Sequence, residues 1–242
     1  MSFLFFDIET RVDKALLRAT VMRGQAATDD EAYAAFREQL VAEGGSDFVP
    51  LSFHIPVSIV LGSAGGDCVL REIDVLRADH VGEQGVVCGF WELLEGFDGT
   101  LVSFNGRGFD LPVLELQALR HGCAAPRYFG ERNGLRSRFG RHDDLFDFLT
   151  NFGATRMRGG FDLVSKVAGL PGKADVSGAD VQDLWEAGRW DEIHRYCAQD
   201  VIQTYFLFLR VERLRGRLSS ERLAAIEERT RHFHGRLGAA ER

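Results

Sequence analysis

The sequence lacks any long hydrophobic run. No stretch of its 242 residues approaches the roughly 18 consecutive apolar residues that cross a membrane. The N-terminus also lacks the basic region and small-residue cleavage site of a signal peptide. We therefore expect a cytoplasmic protein that does not associate with membranes. Hydrophobic residues make up 45% of the chain, which is enough to bury one sizeable core.

Cysteines are few and widely spaced. The four residues, Cys68, Cys88, Cys123 and Cys197, contain no C-x-x-C pair. This spacing argues against a zinc site or a disulfide framework. We expect all four to be reduced core residues.

Lysine is scarce, occurring only at positions 14, 166 and 173, so arginine carries nearly all of the positive charge. The net charge is −7 and the pI is about 5.5. This balance argues against a protein that coats nucleic acid through bulk electrostatics, although it leaves room for a local binding channel.

The order of the expected elements indicates an α/β fold, a mixed sheet flanked by helices. Three β-rich runs come first, near residues 3–10, 51–61 and 68–75, and we expect these three strands to be antiparallel. A polar helical stretch at about 12–50 separates the first two and has the character of an insertion. A strand at 100–104 follows, and the chain after it is predicted to be mostly helical.

Asp7 and Glu9 end the first hydrophobic run. Residues two apart in a strand lie on the same face, about 6 to 7 Å apart, so both carboxylates point the same way. The spacing alone is weak evidence for a metal site, because a D-x-E triplet occurs about once by chance in a chain of this size. A second copy, residues 29–31, lies in a polar stretch where acids complement a helix dipole. At the edge of a buried strand, however, a carboxylate is costly unless it is paired or binds metal.

Asp200 lies on the longest predicted helix, at residues 190–210. Apolar residues define the buried stripe of this helix: Ile193, Cys197, Val201, Thr204, Phe208 and Val211. Asp200 flanks that stripe, with Tyr196 one turn earlier on the same face. A salt bridge from Asp200 to an arginine of another helix is an equally good explanation at this point.

Asp110 follows the strand at 100–104 and a glycine-containing turn. Because it stands two residues before Pro112 at the start of a predicted helix, the pattern by itself favours a helix N-cap.

Considered together, these residues are four carboxylates and a phenol from three elements. Four acids brought close would repel one another unless cations neutralised them. Two divalent ions about 3.5 to 4 Å apart suit such a cluster and commonly serve phosphodiester cleavage. Ligation by carboxylates alone favours Mg²⁺ or Mn²⁺.

Three segments resemble the motifs of the DEDD superfamily of 3′-5′ exonucleases: F-D-I-E-T at residues 6–10, N-x-x-x-F-D-L-P at 105–112, and Y-x-x-x-D at 196–200. The chain is most similar to the stand-alone bacterial branch related to the proofreading domain of family-B DNA polymerases. The resemblance implies a ribonuclease-H-like fold. It also indicates the Tyr subclass, because the His subclass would need a histidine where Arg195 stands. We interpret the nearby His194 as a polar-face helix residue.

The resemblance also implies roles for individual residues. Two metal ions would be held by four ligands: Asp7, Glu9, Asp110 and Asp200. One ion would activate a water and the other would stabilise the leaving 3′ oxygen. Tyr196 would orient the water, since a phenol of ordinary pKa near 10 is a poor base at neutral pH. Substrate contacts are expected from four neighbours: Ile8, Thr10, Asn105 and Phe109. For Ile8 and Thr10 a core position is an equal alternative.

The resemblance covers residues 3–210. We therefore expect an exonuclease domain at 1–210, with the insertion at about 12–50, and a charged helical extension at 211–242. A solvent-exposed helix face explains the arginines of that extension more readily than a nucleic-acid contact does.

Arginines and phenylalanines alternate between residues 127 and 158. The arginines are Arg127, Arg132, Arg136, Arg138, Arg141, Arg156 and Arg158, and the aromatics are Phe129, Phe139, Phe146, Phe148 and Phe152. Such a mixture can bind a single strand by phosphate pairing and base stacking. Equally, the aromatics can be core and the arginines can offset Asp143, Asp144 and Asp147.

The leading hypothesis is a metal-dependent 3′-5′ exonuclease that releases nucleoside 5′-monophosphates from single-stranded nucleic acid, with DNA favoured over RNA. A separate polymerase or repair protein is a possible partner. The alternatives are an RNA 3′-5′ exonuclease of the ribonuclease D kind and a non-catalytic nucleic-acid-binding protein of the same fold.

Overall fold

A mixed sheet of five strands forms the centre of the fold. A computed structural model of the chain describes residues 2–130, 134–138, 140–172 and 178–233. The strands within these ranges are β1 (Phe3–Val12), β2 (His54–Ala64), β3 (Leu70–Arg77), β4 (Thr100–Ser103) and β5 (His142–Asp144). Their order across the sheet is β3-β2-β1-β4-β5. The first three strands pair antiparallel, as predicted. β4 pairs parallel with β1, and β5 pairs parallel with β4, which was not predicted.

Helices cover both faces of this sheet. They are α1 (Lys14–Ala19), α2 (Asp29–Gly44), α3 (Ala78–Gly96), α4 (Asp110–His121), α5 (Pro126–Gly130), α6 (Leu145–Leu149), α7 (Gly160–Val167), α8 (Val181–Glu186), α9 (Trp190–Leu214) and α10 (Ser220–Arg229). Short 3₁₀ turns occur at Leu51–Phe53 and Gly178–Asp180. None of the helices in the described part of the chain combines the length and the apolarity that a membrane crossing requires.

β1 occupies the middle of the sheet because its first residues are apolar on both faces. Phe5 packs against Tyr205 and Phe208 of α9, with ring centroids 5.3 Å apart in each pair. Phe6 points the other way and packs against Phe90 of α3 at 5.4 Å. Alternate side chains of one strand therefore anchor it to two helical layers.

α9 contributes the largest part of the core on its side of the sheet. The predicted stripe from Ile193 to Val211 is buried, as expected from its spacing. The helix ends at Leu214 rather than at residue 210. Leu223 and Ile226 of α10 join the same core as α9.

The segment between β1 and β2 has a small core of its own. α1 and α2 pack around Leu17, Met22, Ala32 and Phe36. α2 begins with a capping box between Thr28 and Glu31. The acidic triplet at 29–31 is therefore a helix start, as the sequence indicated.

Helix boundaries elsewhere differ modestly from the expected ones, but the segment 126–149 was not predicted correctly. It contains α5, β5 and α6, of three to five residues each. Elements this short have no readable periodicity, since one turn or one pleat is too little to show a repeat.

The prediction that all four cysteines are reduced is wrong for two of them. Cys88 of α3 and Cys123, which follows α4, form a disulfide with their Cα atoms 5.3 Å apart. They meet because α3 and α4 pack together, and a separation of 35 residues carries no spacing signature. Cys68 and Cys197 are free and buried, as predicted.

Candidate active site

Three carboxylates meet where β1 passes α9. One oxygen from each of Asp7, Glu9 and Asp200 lies within 4.8 Å of the others. Asp7 and Glu9 share a face of β1 because strand side chains alternate, and α9 brings Asp200 to that face. Glu9 and Asp200 are buried, at 7% and 5% exposure. Carboxylates held this close and this deep form a donor set that fits a hard divalent cation.

Asp110 borders this group from α4. The prediction of a helix N-cap is wrong, because Phe109 occupies the cap position and Asp110 is the first helical residue. Its buried carboxylate instead accepts a hydrogen bond from the backbone N–H of Ile8 at 3.2 Å. Among the described residues, the acids that form a group of three with ligand oxygens all within 4.8 Å of one another are Asp7, Glu9 and Asp200. Asp110 therefore joins them as a neighbour that is tied to β1 between Asp7 and Glu9.

Tyr196 stands one turn before Asp200 on α9 and is 3% exposed. The helical repeat places the two side chains on one face. Both line the cavity described next, so the phenol and the carboxylate share one chemical environment.

A single cavity contains every site residue expected from the sequence. Its volume is about 560 Å³. Its walls are formed by Asp7, Ile8, Glu9, Thr10, Phe48, His54, Phe104, Asn105, Gly108, Phe109, Asp110, Phe146, Met157, Gly160, Phe161, Gly178, Tyr196 and Asp200. The predicted substrate-binding residues Ile8, Thr10, Asn105 and Phe109 therefore border the same space as the acids. Ile8 is also 4% exposed and belongs to the core, so its core position is confirmed and its contact with substrate stays a prediction.

The turn before α4 is held by Asp144, which was not predicted as a site residue. Its carboxylate accepts hydrogen bonds from the backbone N–H groups of Asn105 and Arg107, both at 2.9 Å. Burial raises the pKa of this carboxyl, although those backbone hydrogen bonds act in the opposite direction. Asn105 has a φ of 63°, in the left-handed region. At Gly106 an added Cβ would lie 2.4 Å from Ser103 Oγ, so only glycine fits there.

Phe48 and His54, which were not predicted as site residues, form an aromatic wall with the predicted Phe109 on the β1 side of the cavity. Phe48 stacks on the His54 imidazole at 5.5 Å and 24°, and Phe109 packs edge-on against the same ring at 5.2 Å. His54 Nε2–H donates to the Val49 carbonyl at 3.0 Å, and Nδ1 accepts from the Thr10 hydroxyl at 2.7 Å. Burial lowers the pKa of this imidazole, so it is neutral near pH 7. In the sequence, the one indication of this wall was an apolar residue, Phe48, between a polar loop and Pro50.

A second aromatic group lines the side of the cavity nearer α9. The Phe104 ring packs edge-on against Phe146 at 5.4 Å and Phe161 at 4.8 Å. The cavity therefore has acids in its interior and aromatic groups on its walls, a combination suited to a ligand with both phosphates and flat rings.

Two neighbours of Tyr196 on α9 are structural. The prediction that His194 lies on a polar face is wrong: it is 5% exposed, accepts from the Ser58 hydroxyl at 2.9 Å and donates to Asp79 at 2.8 Å. Its partner lies on α3, which the spacing on α9 could not indicate. Cys197 donates to the backbone carbonyl of Asp7 at 3.4 Å, and burial raises the pKa of its thiol far above the usual value.

The arginine-rich stretch at 127–158 shows features of both explanations. Ion pairs join Arg127 to Asp98, Arg136 to Glu115 and Arg138 to Asp147. Arg156 and Arg158 are exposed, and Phe146 lines the cavity. Arg132 and Phe139 lie outside the described residues.

Comparison with known proteins assigns the family. A five-stranded mixed sheet of this order, flanked by helices and carrying these acids, is the ribonuclease-H-like arrangement of DEDD-type 3′-5′ exonucleases. The chain belongs to the family of predicted 3′-5′ exonucleases related to the exonuclease domain of PolB, whose model matches residues 46–239. Asp110, Tyr196 and Asp200 lie inside the matched range, whereas Asp7 and Glu9 precede it. No curated protein sequence matches the chain.

The solved structure of a DNA polymerase supports the fold. The family B DNA polymerase from the hyperthermophilic archaeon Pyrobaculum calidifontis is similar with a TM-score of 0.58 and 18% identity, over 88% of this chain and 24% of the polymerase. Apo exonuclease I aligns with a TM-score of 0.42 and 13% identity, over 92% of this chain and 43% of that one. The metal-free E. coli ExoI–ssDNA complex aligns with a TM-score of 0.41 and 14% identity, over 92% of this chain and 41% of the ExoI chain. The chain thus spans about a quarter of the polymerase and less than half of either exonuclease I chain.

Proposed function

We propose that the protein is a two-metal 3′-5′ exonuclease of the Tyr subclass that removes nucleoside 5′-monophosphates from the 3′ end of single-stranded DNA. The observation that carries this proposal is the approach of Asp7, Glu9 and Asp200 within 4.8 Å, with Asp110 and Tyr196 in the same cavity.

The four acids would hold two divalent ions, Mg²⁺ or Mn²⁺. When bound, such ions supply charge neutralisation on the scissile phosphate and lower the pKa of a coordinated water. The protein contributes the placement: β1 aims two carboxylates, α9 aims one, and the Ile8 amide fixes the orientation of Asp110.

Tyr196 would position the attacking water. Its phenol is held on α9 one turn from Asp200, so it can hydrogen-bond to a water between the acids and the phosphate. Such placement lowers the barrier by restricting the reactants to one geometry.

We propose DNA as the substrate because the family is related to the exonuclease domain of PolB. The buried carboxylate floor and aromatic walls of the cavity suit a flexible single strand better than a duplex. Within the chain, we propose residues 1–210 as the catalytic unit, with the insertion at about 12–50 and an appended segment at 211–242. A separate polymerase or repair protein would be the partner.

The test is stepwise shortening of a 5′-labelled single-stranded oligonucleotide with Mg²⁺ or Mn²⁺, compared with chelator, with the released mononucleotides identified by chromatography. Asp7→Asn and Asp200→Asn should each lower turnover at least about a thousandfold, since each removes part of the metal-held charge stabilisation. Mn²⁺ binding, followed by titration calorimetry, should weaken in both.

Asp30→Asn is the matched control. It removes an exposed acid from the other acidic triplet, on α2, and should leave turnover and metal binding unchanged. Full activity in both site variants would overturn the proposal. An RNA oligonucleotide of the same sequence decides between DNA and RNA, and binding without hydrolysis by the wild type would indicate a non-catalytic protein.

A further inference from the structure

Phe48 is an exposed aromatic residue at the edge of the candidate active site. It is 60% exposed, and it lines the same cavity as the acids. An exposed aromatic ring at the border of a cavity offers a flat apolar face on which a base can stack.

The surroundings of Phe48 hold its ring in place. One side of the ring stacks on His54, and Phe109 lies 5.9 Å away. His54 is fixed through hydrogen bonds to Thr10 on β1 and to the carbonyl of Val49. Thr10 follows Glu9 in sequence, so this chain of contacts leads directly to the metal-binding acids.

Residues of the insertion between β1 and β2 also hold Phe48 in place. Val49 is buried in the small core shared by α1 and α2. Asp47 forms an ion pair with Arg37 of α2, and the Phe48 amide donates to Ser46 Oγ at 3.3 Å. Val49 is therefore buried in that small core while its neighbour Phe48 lines the cavity.

We infer that Phe48 is the stacking platform for the 3′-terminal base, and that the insertion at about 12–50 serves to hold it there. This inference rests on the proposed function, because it places the terminal nucleotide beside the acids. Phe109, next to Asp110, closes the same wall, and His54 is a positioning residue beneath both rings.

The experiment measures equilibrium binding and hydrolysis side by side. A fluorescein-labelled single-stranded DNA is titrated by anisotropy in the presence of chelator, once with a normal 3′-terminal base and once with an abasic 3′-terminal sugar. Phe48→Ala should weaken binding of the normal DNA by about 5- to 100-fold, the range expected for loss of one base–aromatic stack. The abasic DNA should bind both proteins within about twofold of each other. Phe48→Trp should restore binding of the normal DNA.

Trp190→Ala is the matched control. Trp190 is 40% exposed and packs against Trp185 with ring centroids 5.8 Å apart, outside the residues that line the cavity with the acids. Its removal should leave both affinities unchanged. A thermal melt of each variant confirms that it is folded.

The outcomes separate the two proposals. If the wild type hydrolyses DNA and Phe48→Ala binds both oligonucleotides as the wild type does, the assignment of Phe48 is wrong and the proposed function stands. If the wild type releases no mononucleotide with either metal, the proposed function is wrong, and the binding contrast still decides the assignment of Phe48. Equal weakening for normal and abasic DNA would also overturn the stacking role.

Discussion

The carboxylate of Asp144 accepts a hydrogen bond from the backbone N–H of Asn105 at 2.9 Å, which fixes the turn that leads into Asp110. We expect Asp144→Ala to lower the free energy of unfolding by about 2 to 4 kcal/mol, because buried amides lose their acceptor. Turnover should also fall, since the start of α4 carries Asp110. Urea denaturation and initial rates measure the two effects.

Asp143→Asn is the control for that variant. Asp143 neighbours Asp144 but forms an ion pair with Arg215 instead of binding the turn. The Asp143→Asn variant should be less stable than the wild type but should have the same turnover. A fully stable and active Asp144→Ala protein would contradict the assigned role.

Tyr196→Phe should lower turnover about a hundredfold while Mn²⁺ binding stays unchanged, because the variant keeps the ring and loses only the hydroxyl that positions the water. Calorimetric Mn²⁺ titration and single-turnover rates make the comparison. Tyr205→Phe on the same helix is the matched control, since its hydroxyl donates to the Cys68 carbonyl at 3.0 Å and not into the cavity. Equal turnover in Tyr196→Phe and the wild type would refute the positioning role.

Stability should fall as the pH drops below about 6.5. Burial lowers the pKa of His194, although its hydrogen bond to Asp79 partly opposes the shift. A group whose folded pKa is depressed takes up its proton more readily in the unfolded chain, so acid favours unfolding. His194→Gln should reduce the slope of unfolding free energy against pH by up to about 1.4 kcal/mol per unit.

The same measurement separates His194 from its partner. Burial raises the pKa of the Asp79 carboxyl, but hydrogen bonds from Arg77 and His194 outweigh this and lower it to about 2. Asp79 therefore contributes stability that is present above about pH 4 and is lost toward pH 2, outside the histidine range. Identical slopes for the wild type and His194→Gln between pH 7.5 and 5 would contradict the prediction.

The Cys88–Cys123 disulfide should stabilise the packing of α3 on α4. Replacing both residues by serine should cost about 3 to 4 kcal/mol of unfolding free energy, the loop-closure entropy of a 35-residue separation. Thermal melts with and without reductant measure the stability that the disulfide contributes. The wild type should lose stability in reductant and the double variant should not; equal responses would show that the bond does not form.

Much of the candidate site was predictable because its residues follow local repeats. Strand alternation placed Asp7 beside Glu9, and the helical repeat placed Tyr196 beside Asp200. The same reasoning failed for His194, whose partner lies on another element. It also failed for Asp110, where a local cap and a long-range acceptor have the same sequence pattern.

The sequence by itself determined which side chains share a face, since that depends on covalent geometry and on neighbours within a few residues. Only the tertiary structure decided which faces meet. The approach of β1 to α9, the hydrogen bond from Ile8 to Asp110 and the placement of Phe48 beside the cavity each join residues that are far apart in the sequence. Such contacts are set by the summed burial of many side chains, and no short pattern in the sequence records that sum.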